Sequence, residues 1–374
     1  GGYEAVPRAG QDGGNPMVRR VLQRLRAVRR GAGLAAGGLA VAAGLAAAPT
    51  AFAATQLIGA GSTFDYPFFS RAFYAYSEQH PEVAVNYQSI GSGGGIQQLI
   101  AKTVDFGASD VPMDAEELAR AKAPILQLPA TLGGEGIAYN LPGVAKGLRL
   151  TRPLVADIYL GKIAKWNDPA IARLNPGVRL PALAITVVHR SDGSGTTYIF
   201  TDFLSRVSPE WKDKVGAGKS VAWPAPSSVG GKGNEGVAGL VRQTQGAIGY
   251  VELAYLLEND MPYALLQNRA GNYLYPTIAT VAAAAATKPD VSARDFSIVD
   301  APCAQCYPIS GYSWVLLYKH PRDAERGRLL KQVMSWLVTE AQPIAKTIAY
   351  VPLPDNVQRR ALSILDEMGE SAGR

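Results

Sequence analysis

Four short stretches of this chain gather hydroxyl residues and glycines: "GAGSTF" (59–64), "IGSGGG" (90–95), "GASD" (107–110) and "HRSDGSGTT" (189–197). Ser62, Thr63, Ser92, Ser194 and Thr196 supply hydroxyls, and the glycines let backbone N–H groups approach a ligand. Arg190 adds one fixed positive charge whose planar fork suits an oxyanion, and Asp192, two residues on, is placed to hold it. This donor set points to anion binding. Other chemistries fit poorly. Nothing matches the phosphate-cradling pattern GxxxxGK[ST], and the lysine in "GGKGNEG" (230–236) stands in the wrong order, so that stretch reads as a turn into a capped helix. Ser194 sits between glycines, but His189 lies in the same loop and no third partner completes a triad. The glycine spacing of "GSGGG" is wrong for a dinucleotide fingerprint. His80, His189 and His320 are scattered, which gives no metal-ligand spacing, and no cofactor is implied.

These loops need elements to carry them. "TQLIGAG", "VAVNYQ" and "TVDFGAS" read as strands, each running into one of the first three loops. After "IGSGGG", Ile96, Leu99 and Ile100 share one helical face, so this loop opens onto a helix N-terminus with its unpaired N–H groups. Alone, residues 89–110 read equally as a tight strand-to-helix turn without a ligand; four loops of one kind argue for a shared site. "DAEELARAK" is a helix with Asp114 as cap and Glu117 at its third position, and "DPAIARL" opens with Asp168 as cap and Pro169 first. "PILQLP" and "GIAYN" read as two strands, "AITVVHR" as another before the fourth loop, and "TTYIFTDFLSRV" and "NEGVAGLVRQT" as helices. "GAIGYV" and "YSWVLLYK" are strands, and helices close the chain near 322–338, 341–348 and 355–369. The alternation predicts an α/β architecture with mostly parallel sheets, in which ligands bind beyond the carboxyl ends of strands.

The chain of 374 residues is long enough for two domains. Its start is unlike the rest. From Met17, "MVRRVLQRLRAVRR" carries six arginines and no acid, residues 31–48 are apolar and small, and "TAFA" ends with Ala51 and Ala53. This pattern predicts a secretory leader cleaved after about Ala53, with a membrane anchor as the rival reading, and residues before Met17 as upstream sequence. Residues 1–53 hold seven of the 37 basic and two of the 31 acidic residues, leaving thirty against twenty-nine. A nearly neutral remainder with no basic run gives no support for a nucleic-acid partner. Cys303 and Cys306, in "APCAQCYP", are the only cysteines. In an exported chain they read as a small loop-stapling disulfide, with a redox pair as the alternative.

Six stretches in order, "GAGSTF", "IGSGGGIQQLIAKTVDFGASD", "DIYLGKIAKWNDPAIARLNPG", "DGSGTTYIFTDFLS", "GKGNEGVAGLVRQTQGAIGYVE" and "LPDNV", resemble the phosphate-binding proteins of bacterial phosphate-specific ABC transporters. The resemblance runs from about residue 56 to the end. It implies a type II-like periplasmic-binding-protein fold of two α/β lobes joined by a hinge, closing on one phosphate in the cleft. Residues 54–130 would begin lobe I, 131–306 would form lobe II, and 307–374 would return to lobe I. The implied ligand shell is Thr63, Phe64 (through its backbone N–H), Ser92, Asp110, Arg190, Ser194, Gly195 and Thr196, with Asp192 as the arginine's salt partner. Asp110 would accept a proton of the bound phosphate. The implied role is capture of inorganic phosphate outside the cytoplasm, in the periplasm, by a monomer that delivers it to an inner-membrane ABC permease and its ATPase, without catalysis. A secreted phosphatase on a related scaffold and a receptor for another oxyanion are the rival functions. Two features depart from the family pattern. Asp65 stands where many relatives have proline, and reads as the cap of the helix starting at Tyr66, or else as a carboxylate at the cleft mouth. Cys303 and Cys306 fall near the return crossing between lobes, where a staple would stiffen the hinge.

Overall fold

A computed structural model of the chain describes residues 53–369. The leader expected at Met17–Ala53 therefore lies outside the described residues except for Ala53. No helix among the described residues is long and apolar enough to cross a membrane.

In chain order the elements are β1 (Thr55–Gly61), α1 (Tyr66–Gln79), β2 (Val83–Ser89), α2 (Ser92–Ile100), β3 (Phe106–Ser109), α3 (Ala115–Ala121), β4 (Ile125–Tyr139), β5 (Arg149–Leu150), α4 (Arg152–Tyr159) and α5 (Pro169–Ala172). There follow β6 (Thr186–Arg190), α6 (Gly195–Val207), α7 (Pro209–Lys214), β7 (Ser228–Gly231), α8 (Gly233–Gln243), β8 (Ala247–Glu252) and α9 (Leu253–Glu258). The last are β9 (Leu265–Gln267), β10 (Tyr273–Leu274), α10 (Ile278–Ala286), β11 (Ser310–Tyr318), α11 (Ala324–Leu337), α12 (Gln342–Lys346) and α13 (Asp355–Asp366). Local chemistry sets several boundaries. Asp114 and Glu117 form the reciprocal capping box at α3, and Asp168 accepts from the Ala170 N–H at α5 with Pro169 first in the helix.

Eight strands form one sheet in the order β2-β1-β3-β11-β4-β8-β6-β7, and β10-β9-β5 form a small second sheet. The parallel expectation holds at the two ends, where β2-β1-β3 and β8-β6-β7 are each parallel, and fails in the middle. There β11 is antiparallel to β3 and β4, and β4 is antiparallel to β8. The two triplets consequently run in opposite senses, and their carboxyl ends meet near the middle of β4 and β11. The strands expected separately at "PILQLP" and "GIAYN" are one 15-residue strand, β4. Its first part pairs with β11 and its last five residues with β8, so pairing carries the chain through glycines that read as a break. The lobe boundary expected at 130/131 falls inside it. A register shift in the β4–β11 pairing lies between Ser313 and Trp314, the kind of irregularity that re-aims a side chain beside a site.

Each triplet packs its own aromatic core. Phe69, Phe73, Tyr87 and Phe106 pack behind the first, Phe69 edge-on to Tyr87 and Phe73 edge-on to Phe106, with Tyr87 stacked on Phe106 and the Phe69 and Phe73 centroids 5.2 Å apart. Tyr159, Phe200 and Tyr250 pack behind the second, where Phe200 stacks on Tyr250 at 4.3 Å. Rings in such arrangements add to their area burial and fix the strand ends they support.

Candidate functional site

Arg190 ends β6, and its side chain is only 2% exposed. Its backbone N–H donates to Tyr250 Oη at 3.0 Å, so the aromatic core sets where the strand ends. Nε and Nη2 donate to the two carboxylate oxygens of Asp192 at 2.7 and 2.5 Å, a bidentate pair. Burial opposes the charge, but the hydrogen bonds and charge of Asp192 outweigh it, and the guanidinium pKa lies above its ordinary value. Nη1 turns the other way, toward Thr63 Oγ1 at 3.2 Å and Thr196 Oγ1 at 3.4 Å.

Thr63 follows β1, in the opposite half of the sheet, yet residues from the β6–β8 half surround it. Asn234 donates to its Oγ1 from both its backbone N–H (3.0 Å) and Nδ2 (2.8 Å), and Nδ2 also reaches Thr196 Oγ1 at 3.0 Å. The Tyr255 hydroxyl donates to the Thr63 carbonyl. Asn234 is itself held by the Glu252 N–H, which donates to its Oδ1 at 2.9 Å.

Two helix N-termini converge here. Ser92 is the first residue of α2, behind Gly91 at φ 94°, and Ser194 caps α6 by accepting from the Thr197 N–H. Gly91 needs to be glycine twice over: its φ is left-handed, and a Cβ there would lie 2.4 Å from Asp192 Oδ2. A Cβ on Gly195, first in α6, would lie 2.5 Å from the Asp110 Cβ. The Gly93 N–H donates to the Gly193 carbonyl at 2.9 Å. The first N–H groups of each helix have no partner within it, so two dipole ends face one small volume.

Opposite Arg190 stands Asp110, just beyond β3. Its Oδ1 accepts from Ser62 Oγ at 2.6 Å and lies 2.8 Å from Ser313 Oγ, and its N–H donates to Ser92 Oγ at 3.2 Å. Oδ2 has only a long contact with Ser92 Oγ at 3.4 Å. Burial pushes the Asp110 carboxyl up to about 6, against the bonds from Ser62 and Ser313 and the charge of Arg190.

The structure thus brings Thr63, Ser92, Asp110, Arg190, Ser194, Gly195 and Thr196 to one place, with Asp192 behind the arginine. Phe64 differs in detail: its N–H donates to Ser62 Oγ at 2.9 Å. Asp65 is corrected on both readings. It occupies the N-cap position of α1 but makes no side-chain capping bond, and it is fully buried rather than at a mouth. Its φ of −88° and ψ of −10° are helical rather than extended, and the second helical position is Pro67, which has no N–H to cap. The carboxyl is taken up by Tyr87 and Ser313 instead. Cys303 and Cys306 are joined as a disulfide that closes a tight turn.

Sequence reasoning missed Asn234, Ser313 and two buried acids. Asn234 carries the same signal as the other loops, a glycine-rich turn into a helix, but the misplaced lysine of that stretch sets it apart from the anion-binding loops. Ser313 lies inside an apolar strand, where no local pattern marks it. Glu135 and Glu252 face each other in the β4–β8 register, both 0% exposed. Both oxygens of Glu135 lack a hydrogen-bond partner, and burial pushes its carboxyl far up.

A family profile described as a PBP superfamily domain matches residues 46–341. The chain is 47% identical over 308 residues to a phosphate-binding protein PstS of Xylella fastidiosa, covering 82% of this chain and 83% of that one. It is 47% identical over 307 residues to a phosphate-binding protein PstS of Pasteurella multocida, covering 81% and 88%. Among solved structures it shares the fold of a human phosphate binding apolipoprotein, with a TM-score of 0.68 at 20% identity over 82% of this chain and 93% of that one.

Proposed function

Since the chain belongs to the PstS family of phosphate-binding proteins, within the PBP superfamily, we propose that its site holds one inorganic phosphate between the two halves of the sheet. The protein is a substrate-binding protein that captures phosphate for an ABC transporter. Arg190 supplies the counter-charge. Thr63, Ser92, Ser194 and Thr196 supply hydroxyls, and the first N–H groups of α2 and α6, Gly195 among them, complete the donors. The observation that carries this reading is the position of Asp110: an acceptor-only carboxylate facing an arginine across a nest of donors. Phosphate near neutral pH keeps at least one proton for such an acceptor to take, whereas sulfate has none.

Thr63, Ser92 and Asp110 belong to a lobe formed by residues 54–130 and 307–374, and Arg190, Ser194 and Thr196 to one formed by 131–306, so only a closed cleft completes the shell. The bonds of Arg190, Asn234 and Tyr255 to Thr63 support that closure. Export behind the leader at Met17–Ala53 would place the monomer in the periplasm beside the permease and its ATPase. Five heavy atoms at roughly −1.5 kcal/mol each allow about −7.5 kcal/mol, near micromolar affinity. Calorimetric titration with phosphate, arsenate, sulfate and molybdate is the test. Phosphate and arsenate should bind and compete while sulfate does not; equal binding of sulfate would overturn the reading.

A further inference from the structure

Asp65 and Asp110 are both sealed from solvent, and one hydroxyl stands between them. Ser313 Oγ lies 2.6 Å from Asp65 Oδ2 and 2.8 Å from Asp110 Oδ1. Both are hydrogen-bond distances. A serine hydroxyl has one proton, and an ionised carboxylate can only accept. With both acids ionised, Ser313 would donate to one and turn a lone pair on the other. Tyr87 does not make up the deficit: its Oη lies 2.7 Å from the Ser62 carbonyl oxygen and 2.9 Å from Asp65 Oδ1, and its one phenolic proton is shared between those two acceptors. Ser62 Oγ spends its proton on Asp110 Oδ1. The network lacks a proton, and no lysine, arginine or histidine forms an ion pair with Asp65 among the described residues.

We propose that Asp65 holds this proton on Oδ2 and donates it to Ser313 Oγ, so that Ser313 donates to Asp110 and keeps that carboxylate a fixed acceptor toward the ligand. The proposal rests on the phosphate reading of the site. Asp65 is a positioning residue, acting on the ligand only through Ser313. The surroundings place the proton on this acid rather than on Asp110. Asp110 lies in the field of Arg190 and receives Ser62 besides Ser313. Asp65 faces Tyr87 from β2, Asp110 beyond β3, and the phenols of Tyr255 and Tyr350, with no cation among them. Burial and the Asp110 charge push its carboxyl well above the usual carboxylate range, and the three phenols are pushed up as well, so they stay neutral.

Two consequences follow for ligand choice. Should the proton move, the O–H bond at Asp65 breaks as one forms at Ser313, and the Ser313 proton passes to Asp110. Asp110 would then be neutral, its proton on Oδ1 toward Ser313, and the lost charge would lower the repulsion of an anion that has no proton. Holding the proton at Asp65 protects the preference for phosphate. Should Asp65 instead lose its proton to solvent at alkaline pH, it would draw Ser313 away from Asp110 and add a second negative charge near the ligand. Affinity would then fall, although free phosphate keeps one proton on that side of neutrality.

The test compares Asp65→Ala with Asp65→Asn. Alanine removes the donor to Ser313 and should weaken phosphate binding about tenfold. Asparagine restores a permanent N–H donor, so it should recover affinity over alanine and abolish the alkaline fall of the wild-type protein. Wild-type-minus-variant infrared spectra, in which the buried acids Glu135 and Glu252 cancel, should contain a protonated-carboxyl band for Asp65→Asn and none for Asp110→Asn. An asparagine variant as weak as alanine, an alkaline profile in that variant like that of the wild type, or the absence of a protonated-carboxyl band from the wild-type-minus-Asp65→Asn difference would overturn the proposal. Wild-type protein that fails to bind phosphate in the same titration would overturn the phosphate reading instead, and the infrared band would still report where the proton resides.

Discussion

Arg190 and Asp110 are buried in one site on opposite halves of the sheet, yet their charges are managed by different means. The guanidinium is paired directly, two bonds to Asp192, and its remaining donors are aimed at Thr63 and Thr196. Asp110 has no such direct partner; hydroxyls of Ser62 and Ser313 surround it, and a second acid stands behind one of them. Direct pairing keeps the guanidinium charge permanent, because an arginine is charged across the whole working range and Asp192 raises its pKa further. Hydroxyl solvation leaves a charge conditional on where a proton sits. A site that must hold a protonated anion uses both, a permanent attraction on one side and a proton-sensitive acceptor on the other.

The largest effect should come from removing the permanent side. Arg190→Ala deletes two or more charge-assisted bonds worth about 1.5–3 kcal/mol each and leaves Asp192 unpaired, so phosphate affinity should fall by about 10²–10⁴-fold. A loss under about threefold in calorimetry would remove Arg190 from the ligand shell. Next comes the conditional side. Asp110→Asn places a donor where only an acceptor stood, and sulfate should gain on phosphate by about tenfold or more. An unchanged ratio in competition titrations would mean that Asp110 is not the discriminator.

Glu135 sharpens the contrast, since among the described residues its buried carboxyl has neither an ion partner nor a hydroxyl shell. Its folded-state pKa is raised by burial above the unfolded value, so its stabilising protonation is fully present below the unfolded pKa and is lost as pH rises through the folded one. Glu135→Gln should therefore flatten the loss of stability with rising pH, by about 1–3 kcal/mol at the alkaline end. Denaturant midpoints at acid and alkaline pH would show it, and parallel wild-type and variant curves would contradict it. The smallest effect belongs to the Cys303–Cys306 disulfide. Its loop is so short that chain-entropy arguments allow about 2 kcal/mol of stability. Cys303→Ser should cost no more than that and leave phosphate affinity within about twofold; a larger change in affinity would show that the staple reaches the cleft.

Much of this was legible along the chain because it is governed by neighbours in sequence. Asp114 with Glu117 and Asp168 with Pro169 cap their helices as their spacing dictates, and the hydroxyl-rich loops lie at strand ends because glycine and small polar residues close such turns. The donor types of Thr63, Ser92, Arg190, Ser194 and Thr196 already specified an anion, since what a side chain can donate is fixed by its chemistry. What the chain could not show is who meets whom. Asn234 reaches Thr63 across 171 positions, β4 runs unbroken only because β11 and β8 pair with its two ends, and Pro67 leaves Asp65 without an amide to cap. The role of Asp65 was decided entirely in three dimensions. A hydroxyl set between two carboxyl groups implies a shared proton only once their separations are known, and it is the strand order β1-β3-β11, with the loops that follow β1 and β3, that brings residues 65, 110 and 313 within reach of one another.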